Sequence, residues 1–358
     1  MLRSIIMLVF VIVSLFGCKD QKEESKSIKP FITTDKVGFD SDDPAIWINY
    51  QNPSLSLVIG TDKGGESGEG GLYVFDLDGK IDTSKTVRLQ RPNNVDVAYG
   101  LKMADRMTDI AVCTERNTNK IRVFSLPDML AIDGGGIEVF VDDTLRSPMG
   151  IALFTDLKTN NIYAMVGRKT GPKTGYIYQY LLSTDNSNTV KGQLVRKFGN
   201  FSGLKEVEAI VVDNELGYLY CSDEGVGVRK YYAHPDSNNI ELALFATNDV
   251  SEDHEGLSIY KANDGTGYII LSDQQSDQFL IYPREGSKEN KHQHQLIKTI
   301  KTNTDESDGS DVTNIPLNDA FRNGLFVAMS TDGTFQYYRW EDLADKDLFL
   351  APAGIKMK

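Results

Sequence analysis

Carboxylate side chains recur along the chain at the start of apolar, strand-like segments. Six segments share this form, and they begin at Asp42, Asn93, Pro148, Glu206, Glu255 and Asp308. Five of the six carry acidic residues. If each repeat brings one carboxylate into its strand at the same place, a closed ring of repeats gathers these groups at one end of its axis. The pattern therefore predicts an acidic centre built from distant parts of the chain.

The predicted centre has the chemistry of a calcium site. The candidate ligands are all carboxylates: Asp43, Asp96, Glu208, Glu224, Asp253, Glu255, Asp308 and Asp311. Packed together, they repel one another unless cations neutralise them. Oxygen ligands without paired histidines or cysteines select calcium or magnesium over zinc, and ligands from separate repeats favour the loose geometry of calcium. Any one of these acids alone could be a turn residue, so the prediction of several Ca²⁺ ions depends on the set.

Basic residues stand close to the acids in the sequence repeats. Lys63, Arg116 and the pair Arg168-Lys169 each follow a strand that returns toward the acidic end. Metal ions bridge phosphate oxygens while lysine or arginine neutralises the remaining charge, so this combination predicts a phosphate ligand. Taken singly, each base could do no more than balance a neighbouring acid.

The elements that must position these residues are short strands. Runs rich in Val, Ile, Tyr and Phe alternate with Gly, Asp and Asn turns, and helical periodicity is almost absent. Six hairpins recur at intervals of 49 to 57 residues, with equivalent starts at Leu57, Asp109, Ile162, Leu219, Tyr268 and Leu325. This period predicts an all-β, six-bladed β-propeller with about four antiparallel strands per blade, formed by residues 31–358 as one domain.

Three further features limit the function and the packing. The net charge of -13 disfavours nucleic acid as a ligand, and we expect a monomer. Cys113 and Cys221 fall in strands of the second and fourth blades, so we expect two buried thiols and no disulfide. Residues 288–295 read as a polar hairpin tip, in which His292 and His294 could bind a metal only weakly.

The N-terminal segment has the features of an export signal. Residues 1–17 combine Arg3 with an apolar run too short to span a bilayer comfortably. Leu15-Phe16-Gly17-Cys18 resembles a bacterial lipobox, which predicts lipidation of Cys18 and a polar tether over residues 18–30. We therefore expect an outer-membrane lipoprotein, periplasmic or on the cell surface, that contacts the membrane only through its lipid. The alternative is an ordinary cleaved signal with an incidental cysteine.

Several motifs together resemble the β-propeller phytases over essentially the whole mature domain. They are DDPAIW at 42–47, NNVD at 93–96, IYAMVGRK at 162–169, EVEAI at 206–210, LYCSDE at 219–224, DHEGLSIY at 253–260, SDGSDV at 307–312 and GLFVA at 324–328. The resemblance implies a calcium-dependent phosphohydrolase that releases phosphate from phytate, the hexakisphosphate of inositol. It also implies that calcium is required for stability as well as for activity.

The resemblance also assigns roles to residues. Glu208, Glu224, Asp253, Glu255 and Asp308 match the family's calcium and active-site acids, Asp43 and Asp96 match acids that are less certainly assigned, and Lys63, Arg116 and Lys169 match its phosphate-binding cations. The hypothesis for catalysis is in-line attack of metal-activated water, with Glu208, Glu255 or Asp308 helping as the base. Two residues depart from the family pattern: Met149 replaces a tyrosine that often contacts phosphate, and Thr170 replaces a common glutamate.

Two other functions fit part of the pattern. A calcium-dependent propeller lactonase or sugar-ester hydrolase also places a metal at the axis, but it needs one metal and few cations. A non-catalytic surface lipoprotein that binds a glycan or a protein partner needs neither a metal at the axis nor basic residues beside it. The many acids together with at least three placed bases favour the phosphohydrolase.

Overall fold

Six antiparallel sheets surround one axis in the computed structural model, which describes residues 27–263 and 265–351. This arrangement confirms the predicted six-bladed propeller. The predicted signal peptide and Cys18 lie outside the described residues. Within those ranges, no helix has both the length and the apolar character needed to span a bilayer.

The first three blades follow the chain from inner to outer strand. Blade one contains β2 (Ser41–Trp47), β3 (Leu57–Asp62), β4 (Glu69–Phe75) and β5 (Val87–Gln90). Blade two contains β6 (Pro92–Lys102), β7 (Met107–Glu115), β8 (Lys120–Leu126) and β10 (Ile137–Glu138), and β9 (Leu130–Ala131) also pairs with β8. Blade three contains β11 (Pro148–Thr155), β12 (Ile162–Arg168), β13 (Thr174–Thr184) and β14 (Val190–Asn200).

The last three blades complete the circle. Blade four contains β15 (Val207–Asp213), β16 (Tyr218–Asp223), β17 (Gly227–Tyr232) and β18 (Ala243–Phe245). Blade five contains β19 (His254–Asn263), β20 (Thr266–Asp273), β21 (Gln278–Pro283) and β22 (Lys298–Lys301). Blade six contains β23 (Ser310–Thr313), β24 (Leu325–Ser330), β25 (Thr334–Arg339) and the N-terminal β1 (Ile32–Thr33), and α1 (Trp340–Ala344) follows it.

The hydrophobic core lies between neighbouring blades. Each of its six clusters joins residues of two adjacent sheets, so most strands are buried on both faces and read as continuous apolar runs. Cys113 belongs to the cluster between blades one and two, and Cys221 to that between blades three and four. Both are free and buried, as predicted, and burial raises the pKa of both thiols.

The start of the described chain closes the ring. Ile32 pairs with Tyr337, so β1 is the outermost strand of the last blade. Ile28 forms a parallel bridge with Thr302 of blade five. The chain therefore contacts the propeller before residue 31, and the last residues of the predicted tether pack on the sheets.

The polar segment at residues 288–295 is anchored by a buried histidine. His294 is 6% exposed, with Nδ1 2.8 Å from the Pro283 carbonyl and Nε2 3.2 Å from the Lys230 ammonium. Since a carbonyl only accepts and an ammonium only donates, the neutral tautomer with the proton on Nδ1 satisfies both contacts. Burial and Lys230 lower the pKa of His294 to about 4. Both ring nitrogens are engaged, so the weak metal site considered for His294 is wrong.

Candidate metal and phosphate site

A repeated bulge places the candidate residues at one end of the axis. In β2, β6, β11, β15 and β19, two residues near the strand start oppose one residue of the neighbouring strand. A bulge of this kind redirects the side chains within it. The first bulged residue of each strand, with the equivalent residue ahead of β23, forms what we call the mouth ring: Asp42, Asn93, Met149, Glu208, Glu255 and Asp308.

Glycines next to the mouth ring let the inner strands approach each other closely. A Cβ on Gly309 would lie 2.6 Å from the Asp42 carbonyl oxygen, and one on Gly256 would lie 2.9 Å from that of Asp308. Neighbouring blades therefore touch backbone to backbone at the axis, which brings the side chains of the mouth ring together. One direct contact is the 3.0 Å hydrogen bond that Asn93 Nδ2 donates to Asp42.

Five acids of the mouth form two overlapping groups that could hold a metal ion. Glu206, Glu208 and Glu224 make one group, and Glu224, Asp253 and Glu255 make the other. Within each group the nearest carboxylate oxygens lie within 4.8 Å of one another. Glu224 belongs to both groups, so the two candidate sites share one carboxylate.

Burial and mutual repulsion make these acids costly to ionise. Burial, together with Asp42, raises the pKa of Glu208 well above its usual range, and burial together with Glu208 does the same for Glu255. Burial, Glu206 and Asp253 raise the pKa of Glu224 to about 8. Burial and Asp42 raise the pKa of Asp308 to about 6 against the opposing effect of Lys63. A bound cation would remove this cost, because it favours the ionised form of every carboxylate near it.

Lys63 contributes a positive charge to one side of this acidic mouth. Its ammonium lies 2.9 Å from Asp308 and 3.2 Å from Asp42. Although burial lowers the pKa of Lys63, Asp42 and Asp308 raise it above its ordinary value.

Three further cations approach the mouth from blades two, three and four. Arg116 contacts the Met149 sulfur, and its buried Nε has no hydrogen-bond partner among the described residues. Lys169 pairs with Glu206, and Lys205 pairs with Asp253. These side chains could bind the oxygens of a phosphate that reaches the acids.

The donor set fits a hard divalent cation. The two groups offer only carboxylate oxygens, and nitrogen and sulfur ligands are absent from them. The buried Oε2 of Glu206 accepts no hydrogen bond from the described residues, so one oxygen is free to coordinate. These features match the oxygen coordination of calcium better than a zinc site.

Comparison with known proteins agrees with this geometry. Residues 2–345 match the sequence profile of the family described as Phytase. The chain belongs to the phytase family. A 3-phytase of Bacillus subtilis (strain 168) is 30% identical over 324 residues, which cover 85% of this chain and 80% of that protein. As a member of the phytase family, the chain is a phosphoric monoester hydrolase.

Solved propellers are similar only at a distance. Hydrazine synthase of Kuenenia stuttgartiensis aligns over 82% of each chain at 11% identity, with a TM-score of 0.47. The Cps50 (Swd1) β-propeller domain of Myceliophteria thermophila aligns over 84% of this chain and 83% of that one at 9% identity, with a TM-score of 0.45. Neither similarity contributes to the assignment to the phytase family.

Three of the acids predicted as metal ligands brace the blades of this phytase-family propeller. Asp43 accepts a hydrogen bond from the Val95 amide, and Asp96 accepts one from the Leu153 amide. Asp311 accepts one from the Ile46 amide. Each carboxylate thereby joins its own inner strand to that of the next blade, and burial raises the pKa of all three. They lie outside the two groups of acids, and their role as metal ligands remains a prediction.

A second ring of residues lies directly after the second strand of each blade, which runs back toward the mouth. The residues directly after β3, β7, β12, β16, β20 and β24 are Lys63, Arg116, Lys169, Glu224, Gln274 and Thr331. The first four are among the residues predicted from the sequence, and Gln274, whose amide donates to Asp308, is not. Gln275, which donates to Asp253 over 2.9 Å, and Lys205, which pairs with Asp253, are also absent from that prediction. The repeat position alone was a sufficient signal for Gln274.

Proposed function

We propose that this member of the phytase family hydrolyses the phosphate monoesters of phytate and requires calcium to do so. The observation that carries the proposal is the acidic mouth, where two groups of carboxylates share Glu224 beside Lys63, Arg116 and Lys169. The 3-phytase of Bacillus subtilis supports the same substrate. A lactonase requires one metal site and few basic residues, whereas the mouth has two groups of acids that could hold a metal and at least three bases beside them.

The residues of the chain divide the work of binding and proton transfer. Glu206, Glu208, Glu224, Asp253, Glu255 and Asp308 would hold calcium. When bound, calcium supplies positive charge that attracts phosphate oxygens and increases the acidity of water. Lys63, Arg116 and Lys169 bind the phosphate oxygens that become more negative as the bond to the leaving oxygen breaks.

Proton transfer involves the mouth ring. We assign Asp308, Glu208 or Glu255 as the base that takes a proton from the attacking water. The water oxygen bonds to phosphorus in line as the bond to the inositol oxygen breaks, and that oxygen takes a proton from solvent. No covalent intermediate with the protein forms in this scheme.

The test is phosphate release from phytate with calcium and with a chelator. We expect release only with calcium, and we expect Glu255→Ala and Asp308→Ala to abolish it. Glu289→Gln removes an exposed carboxylate on the loop between β21 and β22 and serves as the control. Full activity in the chelator would rule out the calcium requirement. Lactone hydrolysis without phosphate release would favour the alternative enzyme.

We also propose that the protein is an exported outer-membrane lipoprotein anchored through Cys18. The support is the sequence of residues 1–30, with its short apolar run, lipobox and polar tether. Mass spectrometry of the mature N-terminus tests this proposal, and an unmodified N-terminus that begins elsewhere would contradict it.

A further inference from the structure

Arg168 is buried at the edge of the mouth and cannot contact a substrate. It is the last residue of β12, directly before Lys169, and its side chain is 0% exposed. The side chain of Lys169 is 47% exposed and reaches Glu206 in the mouth. The sequence pattern places Arg168 and Lys169 together among the bases near the acids, and only Lys169 has a side chain that reaches the mouth.

The Arg168 guanidinium is held by one ion pair, one carbonyl and three aromatic rings, the most distant of which is Tyr176 at 5.9 Å. Nη1 donates to Asp143 over 2.8 Å and to the Leu145 carbonyl over 3.0 Å. Its central carbon lies 4.4 Å from the ring centre of Phe140 and 4.9 Å from that of Tyr178. These contacts fix the guanidinium to the connection between blades two and three.

The same guanidinium supports the loop that carries Lys169. A Cβ on Gly171 would lie 2.7 Å from Arg168 Nε, so the backbone of this loop passes directly over the guanidinium. The Lys169 amide donates to the Ser147 carbonyl over 2.9 Å, and Pro148 pairs with Arg168. Arg168 therefore connects three segments: the blade connection, the start of β11 and the Lys169 loop.

Stability alone gives little reason for an arginine at this position. Its buried Nε and Nη2 have no hydrogen-bond partner among the described residues. Unpaired buried donors are destabilising, and the aromatic rings compensate them only in part. Replacing both partners of a buried ion pair by apolar side chains of similar volume is often neutral or stabilising, so the pair of Arg168 with Asp143 is weak evidence for a role in stability. The arrangement is better explained by what the guanidinium holds in place.

We propose that Arg168 is a positioning residue that fixes the Lys169 ammonium beside the acidic mouth. This inference rests on the proposed function, in which Lys169 binds a substrate phosphate. Without the guanidinium, the loop over residues 169–173 loses its support and Lys169 samples other positions. Substrate binding weakens while the chemistry at the acids is unchanged.

The first experiment measures calcium-dependent phytate hydrolysis by Arg168→Met. The substitution keeps a long, unbranched side chain between the rings. We expect KM to rise about tenfold, as for the loss of one charge-assisted contact, with kcat within about twofold of the parent value. Asp143→Asn weakens the ion pair with Arg168 at its partly exposed partner and should raise KM by a smaller factor. An unchanged KM in both variants would overturn the proposal.

A double-mutant cycle separates positioning from general damage. If Arg168 acts through Lys169, Arg168→Met should have no further effect on KM once Lys169→Met is present. Equal effects in both backgrounds would show that Arg168 acts by another route and would refute the proposal. If Lys169→Met alone leaves KM unchanged, then the phosphate-binding role of Lys169 fails and the positioning role fails with it.

A matched control is available in the same blade. Arg196 on β14 is also buried, with its central carbon 4.0 Å from the Phe198 ring centre, and it donates to the Tyr232 carbonyl over 2.9 Å. It has no described contact with the mouth residues. We expect Arg196→Met to lower the melting temperature with KM unchanged. A tenfold rise in KM for this variant would mean that KM reports lost stability, and the proposal would be withdrawn.

Discussion

Replacing the shared carboxylate of the mouth should stabilise the metal-free protein and weaken its response to calcium. Glu224 belongs to both groups of acids, so Glu224→Gln removes one negative charge from each group at nearly constant shape. Without metal the change relieves repulsion. With metal it removes a ligand from both candidate sites. The variant should therefore gain stability in a chelator and lose it, relative to the parent, in excess calcium.

The size of the effect follows from the separation of the carboxylates. Charges 4.8 Å apart, the upper limit within each group, repel by about 3 kcal/mol at an effective dielectric constant of about 20. Because the pKa of Glu224 is raised to about 8, proton uptake already relieves most of this repulsion at pH 7. We therefore expect a larger gain at pH 9 than at pH 7. For a protein of 358 residues, about 3 kcal/mol corresponds to roughly 4 °C in melting temperature, because the entropy of unfolding is about 2.1 cal/mol/K per residue.

Thermal unfolding in chelator and in a calcium series tests this prediction. Glu289→Gln is the control, because it changes the net charge equally at an exposed site away from the mouth. The reasoning fails if Glu224→Gln lowers the melting temperature in chelator at pH 9. It also fails if calcium raises the melting temperature of this variant as much as that of the parent.

Two further predictions concern the titratable side chains of Lys63 and His294. Lys63→Met leaves Asp42 and Asp308 without their ammonium partner. We therefore expect KM for phytate to rise at least about tenfold and the melting temperature of the metal-free protein to fall. If neither value changes, the role of Lys63 is contradicted. The pKa of His294 is about 4 in the folded state and about 6.5 in the unfolded chain, so protonation favours unfolding. The free energy of unfolding should therefore fall by up to about 3 kcal/mol as the pH decreases from about 6.5 to 4. Urea unfolding across this range measures the slope, and a His294→Phe variant with the same slope would refute the assignment.

The repeat pattern of the sequence predicted the fold and most of the mouth because both depend on local signals. The hairpins, their period and the acids at the strand starts are visible in the chain. Glu208 and Glu255 stand at equivalent bulge positions and Asp308 at the matching place ahead of β23, and the closed ring places them at one mouth. Their convergence follows from the symmetry of the propeller.

Contacts between blades were not predictable in the same way. Asp43, Asp96 and Asp311 look like further ligands in the sequence, but each accepts an amide hydrogen bond from the next inner strand. Arg168 looks like a second phosphate-binding base beside Lys169, yet its side chain is buried. Whether a charged side chain faces the axis or the space between sheets depends on the twist of its strand and on the aromatic side chains of neighbouring strands. Neither can be read from the sequence of a single repeat.

The pairing of β1 with β25 joins the first strand of the described residues to the last. A ribosome therefore makes the outermost strand of blade six long before the three strands that it must join. Blade six cannot be completed until almost the whole chain has been synthesised, and Asp308 comes from the same late region. Nascent chains that contain only the first five blades lack one member of the mouth ring, so the complete mouth ring forms only near the end of translation.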